Sequence, residues 1–224
     1  MNLKNLIFIF LAGVAIVCIG HSDVDAVPKI SFATAESSGA ESSNIIIEVV
    51  LSETSSDNVT VDYEVIGGTA VKGVDYKLEA GTLLFAPGET KKTIVAEMID
   101  DDVDEKDETV IINLKSPSPN ALLGGTTIHT YTILDNDTAA ASFKMSSSEG
   151  EESVTPAEIE VILSNASDHP ITVNYKVTGG NAKAGEDFIL PDGALTFQPG
   201  EKRKKIGATI INDNVAEEDE TFIV

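Results

Sequence analysis

The chain has no tryptophan, one cysteine and three histidines among 224 residues. A disulfide scaffold and a cysteine-rich zinc site are thereby excluded, and most histidine-based catalysis with them. Aromatic residues make up 5%, too few to line a sugar cleft with stacking platforms. Positive charge is scarce as well. Fifteen Lys and Arg stand against 37 Asp and Glu, for a formal net charge of −22. A surface of that sign repels a phosphate backbone and an anionic bilayer, which argues against nucleic acid and against direct membrane insertion. Cations are its natural partners. Hydrophobic residues form 42% of the chain, enough to fill a core, so the charge does not imply disorder.

Residues 1–26 read as a secretion signal. Lys4 supplies the positive start, and Leu6 to Gly20 is an unbroken run of 15 apolar or small residues. A spanning helix needs about 20, so the run is better sized for a signal, with an uncleaved N-terminal anchor as the competing reading. Val24-Asp25-Ala26 offers small side chains for cleavage before Val27. Cleavage removes Cys18 and leaves a mature chain without a thiol in an oxidising compartment. Core packing or a bound group must then supply its stability. Asn58-Val59-Thr60, Asn136-Asp137-Thr138 and Asn165-Ala166-Ser167 have the form of glycosylation acceptors for a eukaryotic host.

The remainder is one unit written nearly twice. An offset of 112 aligns Val61–Ile112 with Val173–Val224 without a gap, with 26 identities in 52 pairs. Val61-Asp62-Tyr63-Glu64-Val65 becomes Val173-Asn174-Tyr175-Lys176-Val177, and Phe85-Ala86-Pro87-Gly88-Glu89 becomes Phe197-Gln198-Pro199-Gly200-Glu201. Such a match signifies duplicated modules, here 27–138 and 139–224. Val59, Val61, Tyr63 and Val65 alternate with polar residues, a period of two. Ile45–Leu51, Gly81–Phe85, Thr90–Ile99, Glu108–Leu114 and Thr126–Leu134 are further runs of strand length, separated by Gly and Pro. No stretch has helical periodicity. About seven short strands per unit predict an all-β fold of tandem immunoglobulin-like β-sandwiches. Residue 224 aligns with Ile112, inside the sixth predicted strand, so the second sandwich is expected to be incomplete and the chain to be a fragment of a longer one.

Chemistry concentrates in acidic clusters. From Asp100 to Glu108, seven of nine residues are acidic. The equivalent stretch, Asn212 to Glu220, holds Asp213, Glu217, Glu218, Asp219 and Glu220. Packed carboxylates repel unless protonated or neutralised. Ca²⁺ suits them, since it takes six to eight oxygen ligands and tolerates irregular loops. A solvated loop is the alternative reading of such a run. Lys202-Arg203-Lys204-Lys205 is expected on the solvated face of a strand. His129 on the last strand and His169 before Pro170 lack a nucleophile or metal partner at a recognisable spacing, and no enzyme motif is present.

These residues resemble the Calx-beta domain family. The resemblance is carried by Gly68-Thr69-Ala70…Gly73-Val74-Asp75-Tyr76, Gly81-Thr82-Leu83-Leu84-Phe85-Ala86-Pro87-Gly88-Glu89, Ile99-Asp100-Asp101-Asp102…Glu105…Glu108 and Ile133-Leu134-Asp135-Asn136-Asp137. It covers Pro28 to Asp137 and again Ala141 to Val224. The family occurs in the cytosolic regulatory domains of sodium/calcium exchangers and in extracellular and bacterial surface proteins. Its calcium sites gather loops at one end of the sandwich.

The resemblance implies ligand roles in the first unit for Glu36, Asp75, Asp100, Asp101, Asp102, Glu105, Glu108, Asp135 and Asp137. The units differ by one residue of spacing near Glu36, which leaves Glu41 as a rival. In the second unit the implied ligands are Glu149, Asp187, Asp213, Glu217 and Glu220, with Asn212 and Asn214 in place of two Asp. Each position keeps a plainer alternative. Asp75 suits a turn cap, Glu105 and Glu108 suit a soluble loop, and Asp135–Asp137 suits a polar linker. The expectation is a secreted or cell-surface calcium-binding array, without enzymatic activity, used in adhesion or cell communication. Its partners would be calcium ions, other surface proteins or further modules of the same chain. The competing expectation is a stalk that needs no metal.

Overall fold

The computed structural model describes residues 26–213 and 218–224. The signal-like segment, Cys18 and Glu217 lie outside the described residues. Every regular element described is a strand. The first unit holds β1 (Lys29–Phe32), β2 (Glu36–Ala40), β3 (Ile45–Leu51), β4 (Val59–Gly68), β5 (Tyr76–Lys77), β6 (Gly81–Phe85), β7 (Lys91–Met98), β8 (Glu108–Lys115), β9 (Leu122–Leu123) and β10 (Ile128–Leu134). The second holds β11 (Ala141–Phe143), β12 (Ala157–Leu163), β13 (Ile171–Tyr175), β14 (Gly179–Gly180), β15 (Phe188–Ile189), β16 (Gly193–Phe197), β17 (Arg203–Ile210) and β18 (Phe222–Ile223).

Alternation builds the layers. In β3, Ile45, Ile47, Val49 and Leu51 point inward while Ile46 is exposed. In β7, Ile94, Ala96 and Met98 point inward and Val95 outward. A strand with one apolar face must bury it against another layer. Two five-stranded sheets result, ordered β5-β7-β3-β1-β9 and β2-β10-β8-β4-β6. Phe85, Val110, Ile112 and Leu114 from one sheet meet Ile30, Ile45, Val49 and Ile94 from the other in a single core. The second unit repeats the plan with β11-β12-β17-β15, β13-β16 and β14-β18, around Val161, Leu163, Phe188, Phe197, Ile206 and Ala208.

The first run of the chain serves both sheets. β1 pairs antiparallel with β3, and after three residues β2 pairs in parallel with β10. His129 fixes the crossing. It is 1% exposed, packs against Phe32 and lies between the two halves of the run. The Thr34 carbonyl can only accept, so Nδ1 donates to it at 2.8 Å, and Nε2 accepts from the Ser37 hydroxyl at 2.8 Å. His129 is thus a satisfied core histidine.

Loop placement follows from strand direction. The turns after Ala40, Gly68, Met98 and Leu134 fall at one end of the sandwich, whereas those after Leu51, Phe85 and Lys115 fall at the other. At the first end, Gly68 has φ 124°, and a Cβ there would lie 2.0 Å from the Thr109 carbonyl oxygen. Only glycine lets β4 close so tightly on β8. Gly180 repeats this against Thr221 with φ 113°.

Candidate metal centre

Four segments bring carboxylates to the loop end of the first unit. The first follows the Gly68 crossing. Thr69 and Thr109 lock it, with the Thr109 N–H donating to Thr69 Oγ1 at 2.9 Å and the Ala70 N–H to the Thr109 carbonyl at 3.1 Å. Residues 71–75 then turn sharply, and the Val71 N–H donates to Asp75 Oδ2. Asp75 therefore caps its turn, as the plainer reading expected, and the same turn carries it toward Glu105 and Glu108. Carboxylate oxygens of Asp75, Glu105 and Glu108 lie within 4.8 Å of one another.

The second segment is the short loop between β2 and β3, which carries Glu41. The third is the acidic run after β7, and the fourth is Asp135–Asp137 after β10. Carboxylate oxygens of Glu41, Asp135 and Asp137 also lie within 4.8 Å of one another. Glu41 is 5% exposed. The acidic run bridges the two groups. The Asp101 N–H donates to Glu41 Oε1 at 3.0 Å, and the Val103 N–H closes a tight turn onto Asp101 Oδ1 at 2.7 Å. Asp100 accepts from Asn136 Nδ2 at 2.9 Å, and Asp107 from the Asp135 N–H at 3.2 Å.

The electrostatics are those of crowded like charges. Burial, then the Asp75 carboxylate beside it and the charge of Glu105, push the Glu108 carboxyl up to about 7. Glu105 is pushed to about 7 by burial, then by Asp75, Asp101 and Glu41. Burial raises Glu41, with Asp101 and Asp135 adding to it against the opposing hydrogen bond from Asp101. Asp137 is raised by desolvation and by Asp135, Asp102, Asp100 and Asp101. No lysine or arginine enters these causes, so the cluster has no cation of its own among them.

The donor set fits a hard divalent cation. Oxygens on opposite sides of one Ca²⁺ stand about 5 Å apart, given bonds of 2.3–2.6 Å. Two groups whose oxygens all fall within 4.8 Å match that span. Each can hold one ion, with Asp101 between them.

Among the residues anticipated from sequence, the structure gathers Asp75, Glu105, Glu108, Asp135 and Asp137 in the two groups. Asp100, Asp101 and Asp102 contribute charge beside them. Glu36 is the exception. It sits exposed at the start of β2, opposite Thr130, outside both groups. Glu41, which follows β2 and is turned back under the acidic loop, stands in the second group instead. The second unit is different. Asp187 caps its turn through the Lys183 N–H at 2.6 Å, which pulls its carboxyl down. Glu149 and Asp213 are exposed, and Glu220 lies close enough to Asp187 to share a hydrogen bond with it.

The sequence did not reveal how the second unit closes over this loop. Asp104 and Ser167 form a parallel bridge, with the Asp104 N–H donating to Ala166 O at 2.9 Å and the Asp168 N–H to Asp104 O at 3.1 Å. Asn165 Nδ2 lies 3.4 Å from Asp137 Oδ1. His169 lies against Asp168 Oδ1 at 2.6 Å and 3.8 Å from Asp104 Oδ2. The turn residues carry no alternation to mark them.

The Calx-beta domain model matches residues 23–137 and 135–224. Over 187 residues the chain is 33% identical to sodium/calcium exchanger 1 of Rattus norvegicus, covering 75% of this chain and 19% of the exchanger. It is 30% identical over 191 residues to sodium/calcium exchanger 3 of Homo sapiens, covering 75% and 21%. The chain thus spans about a fifth of the length of these relatives. The solved structure of CBD12 from CALX1.2 has a TM-score of 0.48 at 31% identity, over 84% of this chain and 76% of that one. The apo-form Calx CBD1 domain gives 0.47 at 34%, over 50% and 100%. Two family matches that together run from residue 23 to the last residue place this chain in the Calx-beta domain family.

Proposed function

We propose that this chain is a calcium-binding Calx-beta pair, with modules meeting at Thr138–Ala139, whose first module binds Ca²⁺ at the two carboxylate groups. The observation that carries the reading is the pair of groups with oxygens within 4.8 Å and carboxyls pushed up to about 7. Asp75, Glu105 and Glu108 hold one ion. Glu41, Asp135 and Asp137 hold the other, with Asp100, Asp101 and Asp102 completing the shell. Bound calcium removes the mutual repulsion of these loops and ties them into one face. The chain works as a binding module and not as an enzyme. The signal-like start of the sequence supports a secreted or surface-displayed protein, in which this face serves adhesion or communication.

The test is thermal melting of the chain in chelator and in millimolar Ca²⁺. Binding to the folded state alone adds about 2.7 kcal/mol at a hundredfold excess over Kd, so the first transition moves up by several degrees. The paired variant Glu105→Gln, Glu108→Gln loses most of that shift. An unchanged midpoint sinks the reading and leaves a metal-independent stalk. A second reading is favoured by the relatives, which are named as exchangers: a calcium-sensing segment of an ion exchanger, facing the cytosol. Fusing residues 1–60 to a reporter and locating it inside or outside the cell separates the two.

A further inference from the structure

The fold sorts the three Asn-x-Ser/Thr triplets. The side-chain nitrogen of Asn136 donates to Asp100 Oδ1 at 2.9 Å, and that of Asn165 lies 3.4 Å from Asp137 Oδ1. In both, the atom that would carry a sugar faces the acidic cluster. Ser167, the third residue of the last triplet, is 3% exposed. Asn58 is different. It is exposed, as Asn136 is, but it stands away from the acidic cluster: it precedes the first residue of β4, and its backbone is held by Asn120 Nδ2 at 3.2 Å on the Asn58 carbonyl. The turn beneath it is fixed by the Asp57 N–H on Ser55 Oγ at 3.1 Å and the Gly88 N–H on Ser55 O at 3.0 Å. The ten residues of β4 separate it from the Gly68 crossing, about 30 Å at 3.3 Å per residue.

We propose that Asn58 is the acceptor of an N-linked oligosaccharide, and that Asn136 and Asn165 are retained by the acidic cluster. This rests on the secreted or surface reading above. The donor is an oligosaccharide joined through its first sugar to a lipid pyrophosphate. The Asn58 amide nitrogen bonds to C1 of that sugar. The bond from C1 to the pyrophosphate oxygen breaks, its electron pair leaves with the lipid pyrophosphate, and the nitrogen gives up one proton. No oxidation or reduction occurs. Thr60 supplies the hydroxyl residue of the triplet. A glycan there covers the end of the sandwich opposite the carboxylates and leaves the metal face open.

The experiment expresses the whole chain in a eukaryotic secretory host, once with its own N-terminus and once with residues 1–26 replaced by an established secretion signal. Mass is measured before and after enzymatic removal of N-glycans. The expected result is one glycan, lost in Asn58→Gln and in Thr60→Ala and kept in Asn136→Gln and Asn165→Gln, with the calcium response unchanged in Asn58→Gln. Chain secreted from the borrowed signal with Asn58 bare overturns the proposal by itself. So does occupancy at Asn136 or Asn165 in chain that keeps its calcium response. Glycosylation with the borrowed signal but cytosolic retention with the native N-terminus overturns the secretory reading, and Asn58 as a natural acceptor with it.

Discussion

Single residues set the terms on which the loop end exists. Glu105 and Glu108 titrate near 7 in the folded protein against 4.5 for the free side chain. Between those values the folded state binds more protons than the unfolded state. Their contribution to stability is therefore complete below about 4.5 and is lost as pH rises through about 7. In chelator, the melting temperature should fall from pH 5 to pH 8, and Glu105→Gln with Glu108→Gln should flatten that fall. Calcium should restore stability on the alkaline side, where both carboxylates are charged. A melting series across pH, with and without metal, checks both signs. His129 makes a second prediction. His129→Leu keeps the volume but removes the partner of the Thr34 carbonyl and of the Ser37 hydroxyl, both bonds part-buried, at a cost of about 0.5–1.5 kcal/mol for each hydrogen bond lost. Denaturant titration reads this directly, and the calcium response should persist because the ligand loops are untouched. Sequence and structure diverge most instructively here. The acids of the run at 100–108 were legible as a cluster because adjacency needs no fold. Glu41 displaced Glu36 because their difference is one of direction. β2 leaves Glu36 in solvent, while the turn after Ala40 folds Glu41 inward.

Strands and turns were read with unequal success, for a physical reason. The bounds of β3 and β6 coincide with the sequence reading because each alternates cleanly between core and solvent. β1, β2, β5 and β9 escaped it. Two have only two residues, and β2, Glu-Ser-Ser-Gly-Ala, has no apolar face, being held by its ladder to β10. The turn before β5 shows what duplication has altered. Where the first unit has Val71, the second has Lys183, whose ammonium pairs with Glu186 at 3.0 Å and is held charged by Glu186, Asp187 and Glu220. The second turn thus gains a cation beside Asp187 and Glu220, whereas the cation of the first, Lys72, pairs outward with Glu79 and leaves Asp75, Glu105 and Glu108 repelling. Val71→Lys should therefore raise the metal-free melting temperature at pH 8 and shrink the calcium-induced shift. Calorimetric calcium titration beside the parent checks it, and an unchanged binding isotherm would refute the idea.

At the scale of the molecule, two cores are joined through the segment that bears the carboxylates, since Asp104 is paired to Ser167 across the junction. The parallel ladder of β2 and β10 adds a mechanical consequence. Five residue pairs, from Glu36↔Thr130 to Ala40↔Leu134, tie β2, the second half of the entry run, to the exit strand. Tension applied at the ends of this unit pulls β2 backward and β10 forward, so the ladder is loaded in shear and its bonds must yield together rather than one by one. Forced unfolding is governed by the unfolding rate, and that rate should be low for this geometry. In single-molecule pulling, the first unit should show a high force peak that drops sharply in Ser38→Pro, which breaks the middle of the ladder. Set in a row, such units would resist stretch along the chain while peeling easily when pulled sideways.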